Sequence, residues 1–335
     1  MTIALIGSDS LLGREIRDIV ATSGADIDLR LVADTGEIAG ALTRVGDEPA
    51  VVGGLTAEIL DGVRAIFLAG SADSSRKALE LVDQEPGATI IDLTGAAEER
   101  PDARLRAPQV ESAEEADEGE YDSTLQVIAH PAAIALALFL RRLHSIEAVR
   151  ASVVQIFAPA SEHGRAGVEE LQGQTVSLLS FKKLPHAVFD AQLSFSLLAK
   201  YGADAAISLE DTELRIERHL ASLLALPGEG EGAPMPSLRL IQAPVFHGYS
   251  FGAWVEFESN PGMEYLESSL VTGAIEVRGS EVEAPTNVGQ AGQGGIAVGA
   301  ISPDRNQPEA CWFWVAADNL RLTAENGVAV ARQLA

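Results

Sequence analysis

The sequence predicts an α/β fold in two parts, a parallel doubly wound sheet followed by an α+β section. Three observations carry this. The first part of the chain alternates short apolar runs with helical patterns, the middle is built of long alternating strands, and the C-terminus reads as a strand entering a helix.

Taken in order, TIALIG, IDLRLVAD, AIFLAG and TIIDLTG read as strands, with LLGREIRDIVATSG and SRKALELVDQ as helices between them. From Glu98 to Asp122 the composition turns to EERPDARLRAP and ESAEEADEGEYD, which is expected to be surface loop because a dense run of like charges cannot be buried. STLQVIAHPAA returns to strand and loop. AVRASVVQIFAPA, LRLIQAPVF and SFGAWVEFES then read as strands around two helices, VEELQGQTVSLLS and LEDTELRIERHLASLLAL. PGEGEGAPMP reads as a short flexible loop, and WFWVAADNLRLTAENGVAVARQLA as the last strand and terminal helix.

Composition narrows the function classes. A chain of 335 residues, 47% hydrophobic and 22% charged, has room for two cores. Its 49 acidic against 24 basic side chains give a formal net charge of −25, a surface that repels phosphate backbones and anionic lipid. Neither nucleic acid nor membrane is an expected partner, and the apolar stretch Pro131 to Leu140 is about half of a membrane span. MTIALIGSD has no charged segment before its apolar run, so a cytoplasmic location is expected. Cys311 is the sole cysteine, which excludes an intramolecular disulfide and a multi-cysteine metal site; ACWFWVAADN places it on a buried strand as a packing residue.

Between Gly7 and Gly13 the chain reads G-S-D-S-L-L-G, where a dinucleotide fingerprint has G-x-x-G-x-x-G. Gly7 permits the tight turn and Gly13 lets the helix pack close to the strand. Ser10 replaces the middle glycine: its Cβ obstructs a pyrophosphate, while its hydroxyl still offers a donor. Asp34, some 20 residues further on, accepts from both ribose hydroxyls of NAD in one reading and merely starts the turn in VADTG in the other. In the first reading NAD is favoured over NADP, because a 2′-phosphate would meet carboxylate repulsion.

G-S-D-S-L-L-G, AIFLAGSADSS, IIDLTGAA, VIAHPAA, ASEHGRAGVEELQGQ, QAPVFHGYS and DNLRLTAENGVAVA follow one another in the order and spacing of aspartate-semialdehyde dehydrogenases. The chain resembles that family over nearly its whole length. The resemblance implies a split Rossmann-like dinucleotide-binding domain over 1–132, completed by 318–335, an α+β dimerisation domain over 133–317, and a homodimer formed through the latter. It also implies a cofactor-facing set of Gly7, Ser10, Leu11, Gly13, Asp34, Gly70 and Asn319.

The family's reaction requires a thiolate that attacks the carbonyl carbon, a base, hydride transfer with a nicotinamide, and an arginine for the substrate carboxylate. Residue by residue, Ala133 stands for the cysteine, Ile134 for the hydroxyl residue after it, Ala158 for the glutamine, Gln242 for the arginine and Tyr249 for the histidine. A methyl group cannot attack a carbonyl. Gln242 cannot form a charged fork with a carboxylate, and tyrosine, with a reference pKa near ~10, is far from a base poised at neutral pH. Gln155, three residues before Ala158, faces the other side of its strand. Glu98 stands about where the family has its phosphate-binding arginine. Glu162 and His163 replace glycine and alanine and narrow the pocket. His186 is expected to be structural. His130, His163 and His247 map near the cleft, but their spacing matches no metal motif and local hydrogen bonding is the plainer reading, so no metal is expected.

Three readings follow. One is a catalytically silent homodimer with an NAD-sized cleft, acting through binding or through partner proteins. Another is an oxidoreductase of the aspartate-family amino-acid biosynthesis type with altered chemistry, such as noncovalent hydride transfer aided by Tyr249 or His247. The last is a structural subunit without nucleotide. The joint loss at Ala133, Ala158, Gln242 and Tyr249 favours the silent homodimer.

Overall fold

The computed structural model describes residues 1–22, 27–35, 37–46, 48–84, 87–111, 124–227 and 232–334. It divides into two units, Met1–Ala129 with Thr323–Ala335, and His130–Leu322.

In the first unit the chain runs β1 (Thr2–Ile6), α1 (Leu11–Thr22), β2 (Asp28–Val32), a hairpin of β3 (Leu42–Val45) and β4 (Glu48–Val51), and α2 (Ala57–Leu60). It continues through β5 (Ala65–Leu68), α3 (Ala72–Gln84), β6 (Thr89–Asp92), β7 (Ala103–Arg106) and β8 (Leu125–Ile128). Apart from the hairpin the strands form one parallel sheet in the order β2-β1-β5-β6-β8-β7. Residues 3–6 and 65–68 are buried without interruption, as interior parallel strands covered on both faces must be. One apolar cluster gathers Ala4, Ile6, Val32, Ile66, Leu68, Ala78, Ile90 and Leu125. From β1 the chain moves outward to β2 and then returns to the far side of β1 at β5, so the order reverses between β1 and β5.

The segment after Glu98 departs from the expected loop, because Ala103–Arg106 pairs in parallel with β8. Its alternation A-R-L-R reads as surface charge, yet Arg106 is buried and its charge is met by Glu111 at 2.8 Å. The same guanidinium donates to Gln126 Oε1 at 3.2 Å and to Gln333 Oε1 at 2.8 Å. Most of the acidic run, residues 112–122, lies outside the described residues, as do 228–231 of PGEGEGAPMP.

The second unit begins with α4 (Pro131–Ile146), β9 (Val149–Ala158), a 3-10 turn (Ala160–His163), α5 (Gly164–Leu179) and α6 (Leu209–Leu224). It continues with β10 (Ser237–Gln242), β11 (Tyr249–Phe257), α7 (Met263–Leu270), β12 (Ile275–Arg278), β13 (Ile296–Pro303), β14 (Ala310–Ala317) and the start of α8 (Asn319–Gln333). The strands form a mixed sheet, β10-β9-β11-β14-β13-β12, parallel at its two outer pairs and antiparallel within. Strict alternation along β11 buries Tyr249, Phe251, Ala253, Val255 and Phe257 on one face. α4 covers that core with an almost wholly apolar surface, Phe139 meeting Phe313 edge-on at 5.2 Å. Cys311 is buried on β14 opposite Val255, and burial raises its thiol pKa. β12, β13 and α7 are elements the sequence reading does not single out. Among the described residues no helix is long and apolar enough to cross a membrane.

Candidate functional site

In the second unit, the turn into α4 organises the polar groups. Pro131 takes the first helical position, where its missing N–H costs nothing, and His130 caps the helix: its Nδ1 accepts from Ala132 N at 3.2 Å. The His130 backbone N–H donates to His219 Nδ1 at 2.9 Å, fixing the residue from behind. A carboxylate has no proton to give, so Nε2 carries the hydrogen of the next bond and donates it to Glu162 Oε1, 2.9 Å away. The other carboxylate oxygen of Glu162 accepts from the Tyr249 hydroxyl at 2.6 Å. Glu162 rides on the 3-10 turn, which is pinned where Ala160 N and Ser161 N donate to the carbonyls of Val245 and Phe246.

The Glu162 side chain is only 16% exposed. Burial works against its ionisation, but electrostatic attraction to His130, the hydrogen bonds from His130 and Tyr249, and a further attraction to His163 hold its pKa at about 2. Tyr249 is pushed the other way, first by burial and then by the neighbouring Glu162 charge, so its phenol stays protonated.

A second chain of bonds runs beside the first. Gln242 donates through Nε2 to the carbonyls of Ala158 (2.9 Å) and Ala243 (3.2 Å), and its Oε1 accepts from Tyr201 Oη at 2.6 Å. With its proton so used, Tyr201 accepts from His163 Nε2 at 2.9 Å. Burial lowers the His163 pKa against the pull of Glu162 and Glu170, and the ring packs edge-on to Phe189 and Tyr201. Burial likewise drives the Tyr201 pKa up.

Ala133 lies fully buried in the first turn of α4, followed by an equally buried Ile134. Ala158 is buried at the end of β9 while Gln155 is exposed on the opposite face. Asn319 turns its Oδ1 to Ser161 Oγ and Gly248 N, both at 3.2 Å. The three histidines do not share a centre: His130 serves Glu162, His163 serves Tyr201, and the His247 carbonyl accepts from Asn287. Among the described residues no group of three His, Cys, Asp or Glu could hold a metal. His219 and Tyr201 escape the sequence reading of this arrangement. Glu162 is visible there only as bulk, and Tyr201 gives no signal, lying 41 residues from the glutamine it bonds.

In the first unit, Gly7 (φ +75°) turns the chain at the end of β1, and an added Cβ would lie 2.3 Å from Gly70 Cα. A Cβ on Gly13 would lie 2.1 Å from the Gly7 carbonyl oxygen, so α1 sits directly on that turn, with Leu11 half-buried at its start. Ser10, the middle residue of the glycine fingerprint, is bonded within this turn. Its hydroxyl donates to the Ala69 carbonyl at 2.7 Å and accepts from Gly13 N at 2.9 Å, which uses its one proton internally. Asp34 is also engaged: Oδ2 accepts from Ser71 N (2.8 Å), and Oδ1 from Ser71 Oγ (2.7 Å) and Thr35 N (2.6 Å). It opens a turn as well, Glu37 N donating to its carbonyl at 3.1 Å. Gly70 sits beneath this bridge, where a Cβ would come 3.0 Å from the Asp34 carboxyl.

A parallel sheet whose order reverses between β1 and β5, followed in the chain by a mixed sheet with helices, makes a two-unit α/β protein with a dinucleotide-type first sheet. Residues 140–322 match the family model for the semialdehyde dehydrogenase dimerisation domain, and the chain belongs to the semialdehyde dehydrogenase family. It is 29% identical over 325 residues to the USG-1 protein homolog of Pseudomonas aeruginosa, covering 96% of this chain and 93% of that one. To the aspartate-semialdehyde dehydrogenase of Rickettsia bellii it is 24% identical over 340 residues, covering 99% and 97%. Its structure matches that of a probable aspartate-semialdehyde dehydrogenase from Pseudomonas aeruginosa with a TM-score of 0.83 at 27% identity, over 100% and 98% of the two chains. The fold also matches aspartate semialdehyde dehydrogenase with NADP from Candida albicans, with a TM-score of 0.68 at 14% identity over 99% and 98%.

Proposed function

We propose that this chain is a catalytically silent, homodimeric member of the semialdehyde dehydrogenase family that acts by binding, as a dimer or with partner proteins. The observation that supports this best is the state of the α4 turn. Ala133, at the position of the nucleophile, offers a buried methyl group, and the polar side chains around the turn are committed to one another. Glu162 binds His130 and Tyr249; Gln242 binds Tyr201 and two backbone carbonyls. Acyl chemistry needs donors aimed at a developing oxyanion, whereas the donors of this turn already hold a carboxylate whose fixed negative charge opposes such development. Silence of this kind needs no bound dinucleotide, and the internal bonds of Ser10 and Asp34 in the first unit are in keeping with it.

Assay of the purified chain with aspartate semialdehyde, phosphate and either NAD or NADP tests this. Turnover is expected to fall about 10⁴-fold or more below an active family enzyme run in parallel. Ala133→Cys is expected to stay near background, since a thiol added alone lacks the glutamine, arginine and histidine that act with it. Turnover matching the active enzyme would end the reading. Light scattering should give a particle of twice the 35.2 kDa of one chain, and a monomer at micromolar concentration would contradict the dimer.

A further inference from the structure

We propose that the crevice of the first unit is fastened shut by its own side chains and that the chain carries no dinucleotide. Parallel sheets bind such ligands outside the carboxyl ends of the strands, where the strand order reverses. Here that point lies between β1 and β5. Two side-chain ties cross it. Ser10, on the turn after β1, donates to the carbonyl of Ala69 at the end of β5 at 2.7 Å. Asp34, after β2, reaches across the end of β1 to Ser71, after β5, and takes both its N–H and its hydroxyl at 2.8 and 2.7 Å. Beneath the ties the turns of Gly7 and Gly70 touch backbone to backbone, with no space for a methyl group between them.

The Ser10 tie uses the one proton a pyrophosphate would need, and the Asp34 tie occupies both carboxylate oxygens that would face a ribose. A pyrophosphate that took the Ser10 proton would leave the Ala69 carbonyl without it, and a ribose on Asp34 would compete with two Ser71 donors already in place. The middle residue of the glycine fingerprint has become a fastener, and the acidic residue that reads as a ribose acceptor is the second one. A silent reaction centre in the other unit is compatible with either outcome here, so the two readings fail separately.

The test is fluorescence titration of the full-length wild-type chain with NADH and with NADPH, together with thermal unfolding in the presence of NAD and NADP. No saturable binding and no rise in Tm are expected at millimolar nucleotide. A micromolar dissociation constant for either nucleotide would overturn the proposal. Ser10→Ala and Ser71→Ala supply a separate readout: each removes a tie and is expected to lower Tm by about 2–4 °C. An unchanged Tm in both variants would show that these hydroxyls fasten nothing, and would overturn it as well.

Discussion

Gly13→Ala is expected to destabilise the first unit by about 3 kcal/mol, and Gly13→Val to prevent its closure. The new Cβ would stand 2.1 Å from the carbonyl oxygen of Gly7, six residues away and itself wedged against Gly70. These are backbone atoms, so no rotamer change relieves the clash; α1 must lift off the turn. Lifting it breaks the Ser10 bonds to Ala69 and Gly13 together, and the loss is therefore greater than that of one misplaced methyl. Denaturant unfolding monitored by circular dichroism measures this, with Gly273→Ala as the control. Gly273 has nothing within 4 Å of a built Cβ, and alanine there is expected to change stability by less than about 1 kcal/mol. Equal midpoints for Gly13→Ala and wild type would remove α1 from its place on the Gly7 turn.

What was legible in the sequence, and what was not, follows from the range of the interactions. Ile3 to Ile6 and Ala65 to Leu68 announce interior strands because uninterrupted apolar runs need no partner to be recognised. β7 stays hidden because the charge of Arg106 is met by Glu111 and its remaining N–H groups by the amide oxygens of two glutamines, one of them from the far end of the chain. Around the α4 turn the residue types at Ala133, Ala158 and Gln242, on which the proposed silence rests, are legible from the sequence alone, but the network they sit in must be found in the structure. It depends on which distant side chains arrive: His219 meets His130 across 89 positions, and Tyr201 meets Gln242 across 41. Ser10 and Asp34 mark the intermediate case. Their types and positions suit a dinucleotide, but the strand order brings the end of β5 close enough to claim their polar atoms first.

Glu162→Gln is expected to destabilise the second unit by about 3 kcal/mol at neutral pH, and this difference is expected to disappear in acid. The wild-type carboxylate has an acceptor for each of its two donors, His130 Nε2 and the Tyr249 hydroxyl. An amide has one acceptor, so its NH₂ must face one of those donors. The pH dependence follows from the sign of the shift. The Glu162 carboxyl is held at about 2 in the folded chain against its ordinary 4.5, so ionisation favours folding. That stabilisation is complete above the ordinary value and is lost as pH falls from 4.5 through about 2, because the unfolded chain takes up the proton first. Glutamine does not titrate. Urea unfolding of both proteins at pH values across this range should therefore show the wild type losing stability more steeply and the two curves converging in acid. Tyr249→Phe, which removes one donor, is expected to raise the carboxyl pKa, so that the acid limb still begins near 4.5 but ends at a higher pH with less stability lost across it. Parallel stability curves for wild type and Glu162→Gln would mean that Glu162 is not held ionised by these partners, and would undo the account of the α4 turn.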